Sequence, residues 1–243
     1  MKKVNMRFSS EEWKIITSFL KKAATKRRRD PRMRVMGFPE FLREASLEER
    51  VLLKKFLKLD PRIYGFKGEY YGVTAPPKGL VTIRRERTSK TKKYFSGGIH
   101  FLPRRVFDAY QKMNRAMLRG VGRRVFVLSG YRSPAYQLVI FLETLQEHKF
   151  NIENTASRVA LPGYSEHGAP KRQAIDFTTC ELGEKGSDNT AFERTKEYQW
   201  LMKHAGEFGF RLSYPRGNKW GVMFEPWHWY YSATVHGKGS RKL

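Results

Sequence analysis

The chain has 243 residues, with 48 Lys/Arg against 23 Asp/Glu, 40% hydrophobic residues and 14% aromatics. That content suits a folded domain with room for an extension and excludes wholesale disorder. The single cysteine, Cys180, excludes an intramolecular disulfide framework and a cysteine-rich zinc module.

No apolar run approaches the ~20 residues that a membrane span needs. The N-terminal stretch MKKVNMRFSSEEWKIITSFL has no continuous apolar core and no small-residue cleavage site follows it, so no signal peptide is visible. Charge is uneven: residues 1–150 hold 35 Lys/Arg against 13 Asp/Glu, and residues 151–243 hold 13 against 10. Such an excess bears on partners rather than fold. It points to a polyanion, namely nucleic acid, anionic lipid or an anionic wall polymer. A solvated basic surface without a specific ligand is the plainer alternative.

Ser9 and Ser10 before Glu11-Glu12, with Trp13, Ile16, Leu20 and Ala23 on one face, predict a helix over 9–26. The basic run 26–29 then meets Asp30-Pro31, a break. Ser46-Leu47-Glu48-Glu49 is a capping box that opens a helix to about Lys58, with Val51, Leu53, Phe56 and Leu57 as apolar positions. Residues 62–100 alternate and carry Gly and Pro, which predicts strands and loops, with Leu80–Ile83 extended and 84–93 an exposed hairpin or loop. A helix from about 103 places Val106, Tyr110, Met113 and Met117 together and ends at Gly120 and Gly122. Val125–Leu128 reads as a buried strand. Ser133 as cap with Pro134 at the first helical position starts a helix that runs to about Glu147.

Residues 151–189 read as irregular. Thr190 and Glu193 form another capping box, for a helix to about Phe208 closed by Gly209. Two short strands are expected near 210–214 and 227–231. This order predicts an α+β fold, a small antiparallel sheet flanked by helices. A basic, mainly helical extension is expected over residues 1–70 and the main domain over 71–243.

Six histidines are present: His100, His148, His167, His204, His228 and His236. Singly, each is more often structural or exposed than a ligand. His167 stands apart, because it lies in the turn-rich Gly163-Tyr164-Ser165-Glu166-His167-Gly168. Asp176 follows in the apolar run Ala174-Ile175-Asp176-Phe177, where a carboxylate is costly unless paired or bound to metal. His228 sits in Glu225-Pro226-Trp227-His228-Trp229. Two imidazoles and a carboxylate make a three-ligand zinc set with an open fourth position. Glu225, three residues from His228 and stiffened by Pro226, suits a general base.

These stretches, with Ser129-Gly130-Tyr131-Arg132-Ser133, resemble the zinc carboxypeptidases of the VanY D-alanyl-D-alanine type and the related L,D-carboxypeptidases of peptidoglycan. The resemblance covers roughly residues 95–231, with none carried by the first 70. It implies a single zinc ion held by His167, Asp176 and His228, with Glu225 as general base. It also implies Arg132 as the substrate-binding arginine, with Ser165 and Gln137 as further polar partners of substrate. The implied reaction is release of the terminal D-alanine from stem peptides across a D,D or an L,D bond, by a monomer in the cell envelope. An endopeptidase and a non-catalytic polyanion-binding module are the alternatives, and cytoplasmic location is the alternative compartment. The chain departs from the pattern at two places. The His167–Asp176 segment is two residues longer and puts Arg172 where a glycine is expected, and Tyr230 stands where an arginine is common.

Overall fold

In the computed structural model, which describes residues 8–88, 94–95, 97–183 and 189–232, the chain is shared between two units. Each unit is drawn from three segments. The first takes residues 1–76, 132–169 and 217–223, and the second takes 77–131, 170–216 and 224–243.

The first unit is helical. The Ser9 hydroxyl accepts from Glu12 N while the Glu12 carboxylate accepts from Ser9 N, which closes the N-terminus of α1 (Ser10–Arg29). The helix runs past residue 26 because the basic residues 26–29 lie at its C-terminus, where cations suit the helix dipole. Ile16, Phe19, Leu20 and Ala23 are buried, and Trp13 packs on their margin.

After the single-turn α2 (Phe38–Phe41), α3 (Leu47–Leu57) opens on the expected box of Ser46 and Glu49. Its buried stripe is Glu49, Leu52, Leu53 and Phe56. Val51, expected in the core, is 54% exposed, because at 100° per residue it falls on the opposite side of that stripe.

The cores of α1 and α3 meet α5 (Pro134–Glu147), whose bounds agree with the predicted cap and end. Ala135, Leu138, Val139, Phe141, Leu142 and Leu145 are all fully buried, so α5 is the central helix of this unit. Lys149 and Phe150 then take left-handed backbone angles. The Phe150 ring stacks on Trp13 at 4.0 Å between centroids, packing that offsets the ~1–2 kcal/mol cost per non-glycine residue there. A short helix, α6 (Ile152–Ala156), follows.

The second unit is built on an antiparallel sheet of β5 (Phe126–Ser129), β6 (Gln173–Thr178), β8 (His228–Tyr231) and β7 (Phe210–Leu212), in that order. Two short hairpin-like pairs accompany it: β1 (Leu80–Ile83) with β4 (His100–Pro103), and β2 (Glu86–Arg87) with β3 (Tyr94–Phe95). The predicted exposed hairpin over 84–93 therefore carries a strand, and its residues 89–93 lie outside the described ones.

Helix α4 (Arg104–Val121), ended by Gly122 at φ 67°, lays Val106, Tyr110, Met113 and Met117 on the sheet with no exposure. Opposite them in the core stand Ile175, Phe177, Phe210 and Trp229. The α+β expectation is met, with helices on one face of a small antiparallel sheet. Among the described residues, no helix is long and apolar enough to cross a membrane.

Two expectations fail. The stretch 151–189 contains α6 and the central strand β6, so it is not irregular throughout. The helix expected from 190 to 208 is three pieces: α7 (Asn189–Glu193), α8 (Lys196–His204) and a 3-10 turn over Ala205–Phe208. The break comes at Thr195, whose hydroxyl accepts from Tyr198 N and starts α8 afresh. The side chain of Thr190 lies outside the described residues.

A buried polar knot ties β2, α4 and β5. The Glu86 carboxylate accepts from Val127 N at 2.9 Å and from the Tyr110 hydroxyl at 2.5 Å. Asn114, fully buried, donates to Val125 O at 2.8 Å and accepts from Val125 N at 3.0 Å. Burial pushes the Glu86 carboxyl above the usual carboxylate range, against the pull of these bonds. Burial, then the neighbouring Glu86, hold the Tyr110 phenol well above its ordinary value. The knot anchors the strand that leads to Gly130 and Tyr131.

Candidate metal centre

His167 lies in a 3-10 turn, Glu166–Gly168, capped by Ser165, whose hydroxyl accepts from His167 N at 3.4 Å. The turn is buried, with His167 at 0% exposure. Its carbonyl accepts from Arg132 N at 3.1 Å, so the backbone of Arg132 runs against the turn. Gly168 permits this approach. A Cβ there would stand 2.9 Å from the Arg132 carbonyl oxygen, a backbone atom that cannot swing away.

Asp176 and His228 are directly paired in the β6–β8 register. Their neighbours Ile175, Phe177 and Trp229 point into the core, so strand alternation turns Asp176 and His228 to the opposite face. There His228 Nδ1 lies 2.8 Å from Asp176 Oδ1 and 3.6 Å from Glu225 Oε2.

Glu225 is fixed by a turn in which His228 N donates to Glu225 O across Pro226 and Trp227. Proline at the second position suits such a turn because its φ is already set. Glu225 N donates to Tyr214 O, and Trp229 Nε1 donates to Pro226 O, which pin the turn from both sides. The Tyr214 ring lies 4.9 Å from the His228 ring.

His167, Asp176 and His228 each offer one ligand atom, and these atoms all lie within 4.8 Å of one another. Two imidazoles and one carboxylate, all buried, form a donor set of the kind zinc takes. The other described histidines stand elsewhere. His100 Nε2 is 2.7 Å from Gly97 O, His148 ends α5, and His204 Nδ1 is 2.8 Å from Glu207 Oε1. His236 lies outside the described residues.

Residues 99–234, more than half of the chain, match the model of the VanY family of D-alanyl-D-alanine carboxypeptidases. The chain belongs to this family. It is 28% identical over 139 residues to a D-alanyl-D-alanine carboxypeptidase of Enterococcus faecium, a match covering 56% of this chain and 39% of that protein. It is 34% identical over 130 residues to the putative carboxypeptidase YodJ of Bacillus subtilis (strain 168), covering 52% of this chain and 42% of that one. The match thus spans less than half the length of these two relatives. The solved structure of the LdcB LD-carboxypeptidase, described for its recognition of peptidoglycan, superposes at TM-score 0.53. It is 27% identical and covers 70% of this chain and 77% of that one.

The remaining predicted site residues have definite local partners. Gln137, in α5, is 2% exposed and donates through Nε2 to Ala160 O at 2.8 Å, which holds the segment leading to the His167 turn. Ser165 is 8% exposed and caps that turn. Sequence reasoning passed over Gly168, whose only signal is its place beside His167. It also passed over the contact of Arg172 with Tyr230, which no spacing reveals. The Arg172 guanidinium carbon lies over the Tyr230 ring, 3.6 Å from its centroid.

Proposed function

We infer that this chain is a zinc-dependent carboxypeptidase that removes the terminal D-alanine from peptidoglycan stem peptides, across a D,D or an L,D bond. The observation that carries the reading is the convergence of the His167, Asp176 and His228 donors, with the Glu225 carboxylate 3.6 Å from His228 Nδ1. Family membership and the LdcB fold support it.

His167, Asp176 and His228 would hold the metal. A zinc ion held there supplies a Lewis acid and lowers the pKa of a bound water toward neutrality. Glu225, braced by its proline turn, accepts the proton of the attacking water and returns it to the leaving amine. Arg132, a permanently charged planar fork, pairs with the terminal carboxylate of the peptide. Ser165 and Gln137 complete the polar contacts to substrate, and their bonds to His167 N and Ala160 O support a second duty in shaping the His167 turn.

We read 71–243 as the catalytic domain and 1–70 as a basic extension; the match from residue 99 leaves 1–70 outside the family region, and α1 and α3 of the extension share a core with α5. Lys21, Lys22, Lys26 and Arg29 line one groove beside α1 together with Asp30 and Glu44, and Lys22 and Lys26 are paired with Glu49 and Glu44, so support for a polyanion partner such as an anionic wall polymer comes from the net basic charge of the chain. Retention on such a polymer should then fall steeply with salt. A monomer acting in the cell envelope is the matching assembly and place.

The deciding experiment measures metal content and D-alanine release from pentapeptide and tetrapeptide stems, with products identified by mass. Glu225→Gln keeps the shape and the metal ligands. It should cost about 10²–10⁴-fold in turnover with zinc content unchanged. Unchanged hydrolysis in Glu225→Gln, or purified protein without stoichiometric zinc, would overturn the assignment.

A further inference from the structure

The three donors of the metal centre are held in different ways. Asp176 and His228 stand on adjacent strands in register, so the ladder fixes both. His167 sits on a loop, residues 161–169, that takes no part in the sheet. One side of that loop is secured by the backbone of Arg132, whose N–H donates to His167 O. Another side is met by residues 65–72, an extended strap that follows the 3-10 turn Pro61–Tyr64 and belongs to the same unit. Tyr71 N donates to Gly163 O at 2.7 Å, and the Tyr71 hydroxyl donates to Glu166 Oε1 at 3.4 Å. The Tyr164 ring meets Phe66 edge-on at 5.9 Å between centroids and Tyr70 at 4.9 Å. Gly163 takes φ 84°, and a Cβ there would stand 2.5 Å from the Tyr70 ring and 3.3 Å from the Gly72 carbonyl carbon. The strap thus grips Gly163, Tyr164 and Glu166, which lead directly into His167.

The start of the strap is tied to a second loop of the same unit. Lys67 N donates to Trp220 O at 2.8 Å, and a Cβ on Gly221 would stand 2.4 Å from Gly65 O. Backbone lies on backbone here, so no rotamer change loosens the contact. The strap is therefore anchored at one end and pressed on the His167 loop at the other. Groups outside a coordination set orient the ligands within it, and losing such a partner typically costs about 10–100-fold in metal affinity or activity. Tyr70 is 61% exposed, so truncating it removes little core packing. Its ring contacts are those with Gly163 and Tyr164, on the way to His167.

We propose that the strap, residues 65–72, is a positioning element of the metal centre, in which Tyr70 and Tyr71 hold the His167 loop where its imidazole can meet Asp176 and His228. Both are positioning residues. Tyr70 acts through Gly163 and Tyr164, and Tyr71 acts through Gly163 and Glu166. The strap crosses the boundary drawn at residue 70 and lies ahead of the family match that starts at 99. The part of the chain that serves the metal thus reaches into the N-terminal region. This rests on the zinc carboxypeptidase reading above and deepens it.

The test compares the full-length parent with the double variant Tyr70→Ala/Tyr71→Phe, with Tyr70→Phe/Tyr71→Phe, and with Phe56→Leu, a core change on α3 in the same unit. Zinc dissociation constants come from competition with a chromogenic chelator. The visible bands of the Co²⁺-loaded proteins report the geometry of the ligand set. Tyr70→Ala/Tyr71→Phe should bind zinc about tenfold or more weakly and shift the Co²⁺ bands. Restoring the ring in Tyr70→Phe/Tyr71→Phe should recover most of that loss. Phe56→Leu should lower the melting temperature and leave the zinc constant and the Co²⁺ bands as they are in the parent. At saturating zinc, KM for a pentapeptide stem should stay within about twofold in all variants, with any loss of rate confined to kcat. The proposal is overturned if the zinc constant of Tyr70→Ala/Tyr71→Phe stays within about twofold of the parent. It is equally overturned if KM rises while the zinc constant holds, which would make the strap a substrate contact. The third refuting result is a Phe56→Leu protein that loses zinc as readily as the double variant, which would make the effect one of general stability. A parent that binds zinc yet releases no D-alanine sinks the carboxypeptidase reading alone, since the zinc constants still decide on the strap. A parent that takes up no zinc overturns both.

Discussion

Replacing Gly168 by alanine probes how closely the Arg132 segment must approach the His167 turn. The added Cβ would meet the Arg132 carbonyl oxygen at 2.9 Å, a separation that real Cβ atoms essentially never show. The obstacle is backbone, so no rotamer change relieves it. Arg132 N also donates to His167 O, so the strain falls on the bond that joins the two segments. Overpacking of this kind costs about 1–3 kcal/mol. For a chain of this size that is a melting-temperature loss of roughly 2–12 °C.

Activity should fall further than stability alone requires. A shift of His167 by a few tenths of an ångström loosens the ligand set, and a ~1 Å misplacement costs about 10²-fold. The expected loss in D-alanine release is therefore about 10–100-fold, with reduced zinc retention. Gly206→Ala is the control, since a Cβ there meets nothing within 4 Å. It should be neutral or stabilising by up to about 1 kcal/mol. Thermal melts, zinc content and hydrolysis, measured on both variants in parallel, decide the matter. The reasoning is refuted if Gly168→Ala and Gly206→Ala agree within about 0.5 kcal/mol and twofold in rate.

Three further outcomes follow from the buried knot and the donor set. Asn114→Ala removes both bonds to Val125 and strands its N–H, so unfolding by urea should show a loss of about 2–4 kcal/mol, and Asn114→Asp should recover part of it. Glu86 has a raised pKa in the folded protein, so the stability it lends is full below the ordinary carboxylate range and is lost as pH rises through the folded value. The stability of Glu86→Gln relative to the parent should therefore improve between pH 4 and neutrality, and urea midpoints showing a pH-independent difference would contradict this. Chelation should lower the melting temperature of the parent and spare that of His228→Ala, because a ligand that binds only the folded state stabilises in proportion to its occupancy.

The parts of the fold legible in the sequence are those with local signals. Helix α5 was readable to both ends, because Ser133-Pro134 is a start signal that needs no tertiary context. Helix α4 was readable from a clean 3.6-residue stripe closed by glycine. Strand β6 was not, although it is the central strand that carries Asp176. Gln173–Thr178 is nearly all buried, so it lacks the period-two alternation that marks a half-exposed strand. The glycines and prolines before it also suggested an irregular stretch. Thr195 was passed over because Thr190 offers the same capping chemistry five residues earlier. Of the site, His167, Asp176, His228 and Glu225 stood out by residue chemistry, while their joint assignment, and the roles of Arg132, Ser165 and Gln137, came through the resemblance to a family. No spacing could join a buried turn at 167 to a strand pair at 176 and 228. The lengthened loop, a bare anomaly in sequence, acquires a physical account only when Arg172 is seen lying on Tyr230.

The division of the chain into interleaved segments has a consequence for its birth on the ribosome. The apolar faces of α1 and α3 close on α5, which lies beyond the start of the second unit. At about 5–20 residues per second, synthesis of residues 77–147 takes roughly 4–14 s. For that interval the N-terminal helices have emerged without the partner that completes their core. Neither unit is a contiguous stretch, so truncation at residue 76 or 77 would yield two fragments that each lack part of a core. Co-expression of the fragments, rather than either alone, is the form in which a split version of this protein would assemble.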